Sequence, residues 1–284
     1  MDEQTSSTAA VPIVGARFGH IGLAVRRPTD LWPMMAGALG GRYHGRGNTA
    51  AYGWTQVRFA NGFVVQGLNP EHDESTSFLD RFLDQSGPGP HHLTFHVPDL
   101  TAAVASLAGH GIVPFAEDRS DPDWLEVLIH PLDGQGVVVQ LVQVPDRPPL
   151  PLEAPEGFPE ISYEHPVASL GRVVHAVADM GAALAMYRDV LGGRVVSSGS
   201  AVDGNHWTEL GWGGPGRLRL LEAVHAEIAE WVGDRRGRVR HLFFDFDEPS
   251  HIPGARQVSS GRGRWVVDAD DVLGTRLVIA SSAR

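Results

Sequence analysis

The sequence predicts an α+β fold in which four β-α-β-β-β units pair into two cupped mixed sheets. Three observations lead to it. Strand-like segments with a period of two recur in one order, each group opening with a strand and a helix and closing on two or three further strands. Leu-Gly-Gly-Arg occurs at Leu39–Arg42 and again at Leu191–Arg194, which sets two halves in register. A proline-rich stretch, residues 146–170, separates the halves, and 284 residues are enough for two ordinary domains. The expected organisation is a disordered lead-in (1–17), a first domain (18–145), a linker (146–170) and a second domain (171–284).

The first unit opens at 18–25, Phe-Gly-His-Ile-Gly-Leu-Ala-Val, with His20, Gly22 and Ala24 on one face and Ile21, Leu23 and Val25 on the other. Small residues beside His20 leave room above it; a buried, satisfied histidine is the competing reading. A helix is expected over 29–39, capped by Thr29 or Asp30 and stopped by Gly40-Gly41. Strands follow near 42–44, at 50–59 and, after the Asn61-Gly62 turn, at 63–68, where Gln66 is interior and Asn69-Pro70 ends the run.

A helix around 78–83 leads to the second unit. Its first strand, 91–97, alternates His92, Thr94 and His96 against Leu93, Phe95 and Val97. A face carrying imidazoles opposite an apolar face implies helices on one side of the sheet and a cavity on the other. Helix 100–110, strands 112–115 and 124–130, and strand 137–144 with Gln140 inside it complete the unit. A histidine early in the first strand and a glutamine in the last is thus common to both units.

The second half repeats the order: strand 171–177, helix 181–191, strands 195–198, 205–212 and 218–222, a helix over 223–233, then a shortened fourth unit with strands 239–247, 263–267 and 274–280.

Composition narrows the function. A net charge of −11 and pI near 5.6 argue against nucleic acid as a partner. The absence of cysteine excludes disulfides, thiolate metal sites and a cysteine nucleophile. Residues 1–10 are polar and lack an apolar signal-peptide region, and no apolar run reaches spanning length, so a cytoplasmic protein that does not engage membranes is expected.

The four tandem units, opened by His-x-x-x-Ala-Val and then His-His-x-x-Phe, resemble the vicinal oxygen chelate superfamily. That group includes glyoxalase I, methylmalonyl-CoA epimerase, extradiol dioxygenases and the fosfomycin and bleomycin resistance proteins. The similarity covers nearly the whole chain from Phe18. It is most specific over 18–145, where Gly-Pro-His-His-Leu-Thr-Phe-His-Val-Pro-Asp-Leu and His-Pro-Leu-Asp-Gly-Gln-Gly-Val-Val-Val-Gln-Leu-Val look like the second unit of the epimerase-type members. The resemblance implies that four inward side chains at the base of a cup hold a divalent metal (Zn, Ni, Co, Mn or Fe). By position these are His20, Gln66, His92 and Gln140. The family usually has a carboxylate at one or both last-strand positions; this chain has glutamine at both. Two histidines and two glutamines leave a divalent ion at its full charge, which lowers affinity but makes a stronger Lewis acid toward an anionic bidentate substrate. The missing carboxylate is also the base of glyoxalase-type members, which leaves His96 and Glu126 as candidates, with Thr94 to orient a substrate oxygen.

The function so implied is a metal-dependent lyase or isomerase, glyoxalase- or epimerase-like, acting on a small oxygen-rich carbonyl substrate through a stabilised enolate. The alternative is a metal-free protein that binds or sequesters a small molecule, as bleomycin resistance proteins do. An extradiol-type dioxygenase is a further one, although neither half offers its two-histidine, one-glutamate set. In the second half, Arg172 is expected at the place of His20, Leu220 at that of Gln66, Val278 at that of Gln140, and His241 keeps its histidine; His175 falls on the packing face. That half reads as structural, dimer-forming (a homodimer) or an accessory ligand pocket.

Overall fold

The computed structural model describes residues 11–49, 52–70, 77–145, 152–160, 165–201, 204–258 and 263–281. The expected lead-in at 1–10 and most of the first and middle parts of the linker (146–151, 161–164) lie outside the described residues. So do 50–51, at the start of an expected strand.

Two eight-stranded sheets are built from the two halves of the chain. The first holds β1 (Arg17–Ala24), β2 (Arg42–Asn48), β3 (Tyr52–Arg58), β4 (Val64–Pro70), β5 (Gly89–His96), β6 (Ala116–Asp118), β7 (Leu125–Ile129) and β8 (Val138–Gln143). Its order is β2-β3-β4-β1-β5-β8-β7-β6. The second holds β9 (Ser169–Val177), β10 (Arg194–Ser200), β11 (His206–Gly211), β12 (Arg217–Glu222), β13 (Gly237–Asp245), β14 (Arg256–Gln257), β15 (Arg264–Val267) and β16 (Leu277–Ala280), in the corresponding order β10-β11-β12-β9-β13-β16-β15-β14. In each sheet the two first strands of the units lie antiparallel at the centre, and each pairs in parallel with the last strand of its own unit. The α+β architecture of paired units is therefore present in both halves.

The helices are α1 (Phe78–Ser86), α2 (Leu100–Gly109), α3 (Met180–Leu184) and α4 (Ala226–Val232). Ser77 and Asp80 form a capping box on α1, and the Asp99 side chain caps α2. The helix expected over 29–39 is instead a short 3-10 turn followed by a π-helix at Trp32–Ala38, capped from Arg27, whose backbone N–H donates to Asp30 (3.0 Å). The same wide turn recurs at Ala185–Val190. In both, the leucine N–H of Leu-Gly-Gly-Arg reaches back five residues (Leu39 to Met34, Leu191 to Met186, both 3.0 Å), and the next glycine has positive φ (Gly40 +70°, Gly192 +69°). The repeat thus extends to the irregularities of its helices.

Two strand expectations differ in extent. β4 runs on through Asn69-Pro70, a sequence suited to a turn, and the strand expected at 112–115 forms later, at β6. Residues 11–16 are placed on the second half rather than forming a loose lead-in: Ile13 is buried and its N–H donates to Val190 O (2.8 Å).

The apolar faces of both sheets and their helices share one hydrophobic core. Trp212 joins the halves, its ring against Phe95 (centroids 4.9 Å) and Phe18 (5.9 Å) of the first sheet, while Phe59 meets Phe244 (5.0 Å). His175 belongs to this packing face: it is fully buried and its Nε2 lies 2.8 Å from the Gln135 carbonyl.

Candidate functional site

The site is set by strand register. Across the centre of the first sheet, one row runs Gln66–Gly22–His92 and the next His20–Thr94–Gln140. Paired residues on neighbouring strands share a face, so His20, Gln66, His92 and Gln140 surround one centre between β1 and β5. All four are buried, and the rings of His20 and His92 meet edge to face at 5.7 Å. Gly22 makes this possible: a Cβ there would overlap the His92 imidazole. Gly19 does the same for His96. It is the extra residue of a bulge between the Phe18 and His20 pairings, and a Cβ on it would overlap the His96 ring. The bulge brings His96, at the end of β5, to 6.3 Å from His20, ring to ring.

Burial holds these histidines neutral. His20 is lowered from 6.5 to about 3 by desolvation, with further repulsion from His96 and His44. His92 is pushed well below its ordinary range by desolvation, then by His91 and His20. His96 and His44 each fall to about 4, by burial and then by Arg17 and Arg58 respectively. The Nε2 atoms of both His20 and His92 are buried without a hydrogen-bond partner. His92 Nδ1 lies 3.2 Å from His91 Nδ1, and His91 is wedged against Phe78 and Phe82.

The glutamines are held from behind. Gln56 Nε2 donates to Gln66 Oε1 (2.7 Å). Thr94 Oγ1 donates to Gln140 Oε1 (2.6 Å), and Gln140 Nε2 donates to Glu126 Oε2 (2.6 Å), which also accepts from Trp124 Nε1 (2.8 Å). This changes the expected parts of two residues. Thr94 is fully buried and its hydroxyl orients Gln140, not a substrate atom. Glu126 is tied to the amide of Gln140 and to the Trp124 indole through its Oε2. Sequence reading missed Gln56 and His91. Gln56 was findable in principle, as the residue opposite Gln66 on the neighbouring strand.

Beside His20 opens a cavity of about 570 Å3 lined by Arg17, His44, Arg58, His96 and Trp124, with Asp123 as the lining acid. Gly214 and Pro215 of the second half form part of its wall. His44 Nε2 lies 3.0 Å from Arg58 Nη2. None of Arg17, His44 or Arg58 carries a sequence signal of its own; strand pairing assembles them.

Among the described residues there is no group of three or more His, Asp or Glu side chains able to hold a metal, so any such site rests on the glutamines. The donor set fits a divalent ion. A buried imidazole nitrogen with no partner costs on the order of 1–3 kcal/mol, and His20 and His92 each carry one. Neutral imidazole is the ligating form.

Residues 19–127 match the family model described as Glyoxalase/Bleomycin resistance protein/Dioxygenase superfamily. This span is similar to members of that superfamily. The matched span takes in most of β1, all of β5, and His20, Gln66 and His92, and stops short of Gln140. The full fold is similar to that of a 4-hydroxymandelate synthase mutant from Streptomyces coelicolor (14% identity, 95% of this chain and 94% of that chain, TM-score 0.67). The chain also aligns with methylmalonyl-CoA epimerase from Mycobacterium tuberculosis at 24% identity, over 48% of this chain and 92% of that one, with a TM-score of 0.42. No curated protein matches the sequence.

Proposed function

We propose that the first cup is the reactive centre of a divalent-metal-dependent lyase or isomerase acting on a small, oxygen-rich carbonyl substrate. The observation that carries this reading is the pair of buried, unpartnered Nε2 atoms of His20 and His92, ringed by Gln66 and Gln140. These four residues would hold the ion, which supplies Lewis acidity toward a carbonyl or carboxylate oxygen. The chain's own groups do the rest. Arg17 and Arg58 line the cavity and hold an anionic substrate group. His96 is neutral and partly exposed at the strand end, in position to take a proton from the carbon beside the carbonyl; a bound anion raises its affinity for that proton. His44, on another wall of the same cavity, can return one. Trp124 and Pro215 limit water.

The test is elemental analysis of protein purified without chelator, beside the His20→Ala/His92→Ala double variant. About one Mn, Fe, Co, Ni or Zn per chain, absent from the variant, supports the reading. No binding even with those metals in excess sinks it. The second reading, a metal-free small-molecule binder, draws on a specific observation: both glutamine oxygens already accept hydrogen bonds. His92→Ala separates the two, abolishing turnover under the first and only reshaping a pocket under the second.

A further inference from the structure

The second sheet contains the same ring of positions, and its register names their occupants. Arg172 lies opposite Phe243 after a one-residue bulge at Gly171, as His20 lies opposite Thr94 after Gly19. Val174 faces His241 as Gly22 faces His92, and Val278 faces Phe243 as Gln140 faces Thr94. Arg219 faces Val174 as Gln66 faces Gly22. The counterpart of Gln66 is therefore Arg219, not Leu220, which is fully buried on the opposite face. Where the first cup has four neutral donors, the second has Arg172, Arg219, His241 and Val278. Arg276 precedes β16 beside His241, its carbonyl accepting from Leu242 N–H (3.0 Å).

This ring is built for a negative charge. Arg172 stacks on Phe243 (3.9 Å) and Arg219 on Trp207 (4.0 Å), which fixes both guanidinium planes. Glu209 accepts from Arg219 Nε and Nη2 (3.0 and 2.7 Å) and from Arg172 Nη1 (3.3 Å), and so holds the two side by side. The Nε atoms of Arg172 and Arg276 are buried with no partner. Against these three arginines stand two carboxylates, Glu209 and Asp245; burial raises the Asp245 pKa and Arg172 lowers it. His241 is lowered to about 3 by burial and then by Arg276, Arg240, Arg172 and Arg219, so all four cations are felt at one buried ring. Arg172 and Arg219 keep about a fifth to a quarter of their side-chain surface exposed (21% and 24%), so a solute can reach them.

We propose that the second cup binds a small oxyanion, a carboxylate or phosphate group of a small molecule, between Arg172, Arg219 and Arg276. Planar guanidiniums with free N–H groups recognise such oxygens in pairs. Glu209 then has two opposed effects: it orders the arginines and competes with the ligand. The pseudo-symmetric fold has turned a cation-holding geometry into an anion-holding one by exchanging its donors.

The test uses the full chain with inorganic phosphate and with malonate, at ionic strength matched by sodium chloride, read by calorimetric titration and thermal shift. Arg276→Gln leaves the Glu209 bridge intact and should weaken binding of one of these anions at least tenfold. Glu209→Gln should tighten it several-fold. Arg17→Gln/Arg58→Gln removes any anion binding in the first cavity and should leave the Arg276-dependent binding in place. A crystal soaked in selenate should show an anomalous peak among Arg172, Arg219 and Arg276. No binding of either anion beyond chloride overturns the proposal, as does binding lost in Arg17→Gln/Arg58→Gln but kept in Arg276→Gln, or a selenate peak confined to the first cavity. None of these readouts depends on metal in the first cup, so the proposal can fail while the metal reading stands.

Discussion

Gly22 shapes the candidate site by what it lacks. With no side chain between His20 and His92, the His92 ring can lie flat over β1. Gly22→Ala should push that ring aside, cost about 1–3 kcal/mol in urea unfolding, and abolish metal uptake while the fold, by circular dichroism, remains. Glu126 acts one step further out. Glu126→Gln removes the carboxylate that holds the Gln140 amide, and metal affinity should drop about 10- to 100-fold in a competition titration; an unchanged affinity would place Gln140 outside the ligand ring. His175 offers a test unconnected with the site. Its folded pKa lies near 4, below the ordinary 6.5, so the unfolded chain binds an extra proton between those values. Stability from this group is complete above pH 6.5 and is lost as pH falls toward 4, by on the order of 3 kcal/mol. His175→Gln should flatten that part of the urea-midpoint profile relative to wild type.

At the scale of elements, the strands and their faces follow from alternation, and the imidazole-bearing face of β5 was legible in the bare sequence. Bulges were not. Gly19 and Gly171 each insert one residue into a first strand, and loops of unequal length separate β10 from β12 and β2 from β4. The expected Leu220 lies one residue from the true counterpart, and a slip of one residue turns a side chain to the opposite face. Register alone finds Arg219. The helices show a similar limit: apolar periodicity marks 29–39 and 181–191, but the π-turns within them depend on where the Leu-Gly-Gly segment must re-enter the sheet. α1 packs Leu79 and Leu83 on Ala24 and Leu68 and carries the phenylalanines that wedge His91. Leu83→Ala should cost about 2–5 kcal/mol, measured by chemical denaturation.

For the whole molecule, one core spans both sheets, which makes the halves mutually dependent. Trp212 is buried against Phe18 and Phe95 and donates its indole N–H to Leu191 O (2.8 Å). Trp212→Ala should cost about 3–5 kcal/mol. Calorimetry of the wild type should give one cooperative transition; two resolved transitions would mean that the halves unfold separately. The first cavity carries the same lesson, since Gly214 and Pro215 of the second half help to enclose a site whose histidines all belong to the first.

The sequence by itself determined the α+β class, the repeat and the histidine–glutamine pattern of the first cup. These are written in local alternation and in segments close along the chain, where each residue's face depends only on its neighbours. Tertiary structure alone decided that Thr94 and Glu126 serve Gln140, that Arg17, His44 and Arg58 share a cavity with His20, and that Arg172, Arg219 and Arg276 gather around His241. These groupings depend on strand register, bulges and sheet-to-sheet packing, which join residues far apart in the chain through contacts that no local pattern records.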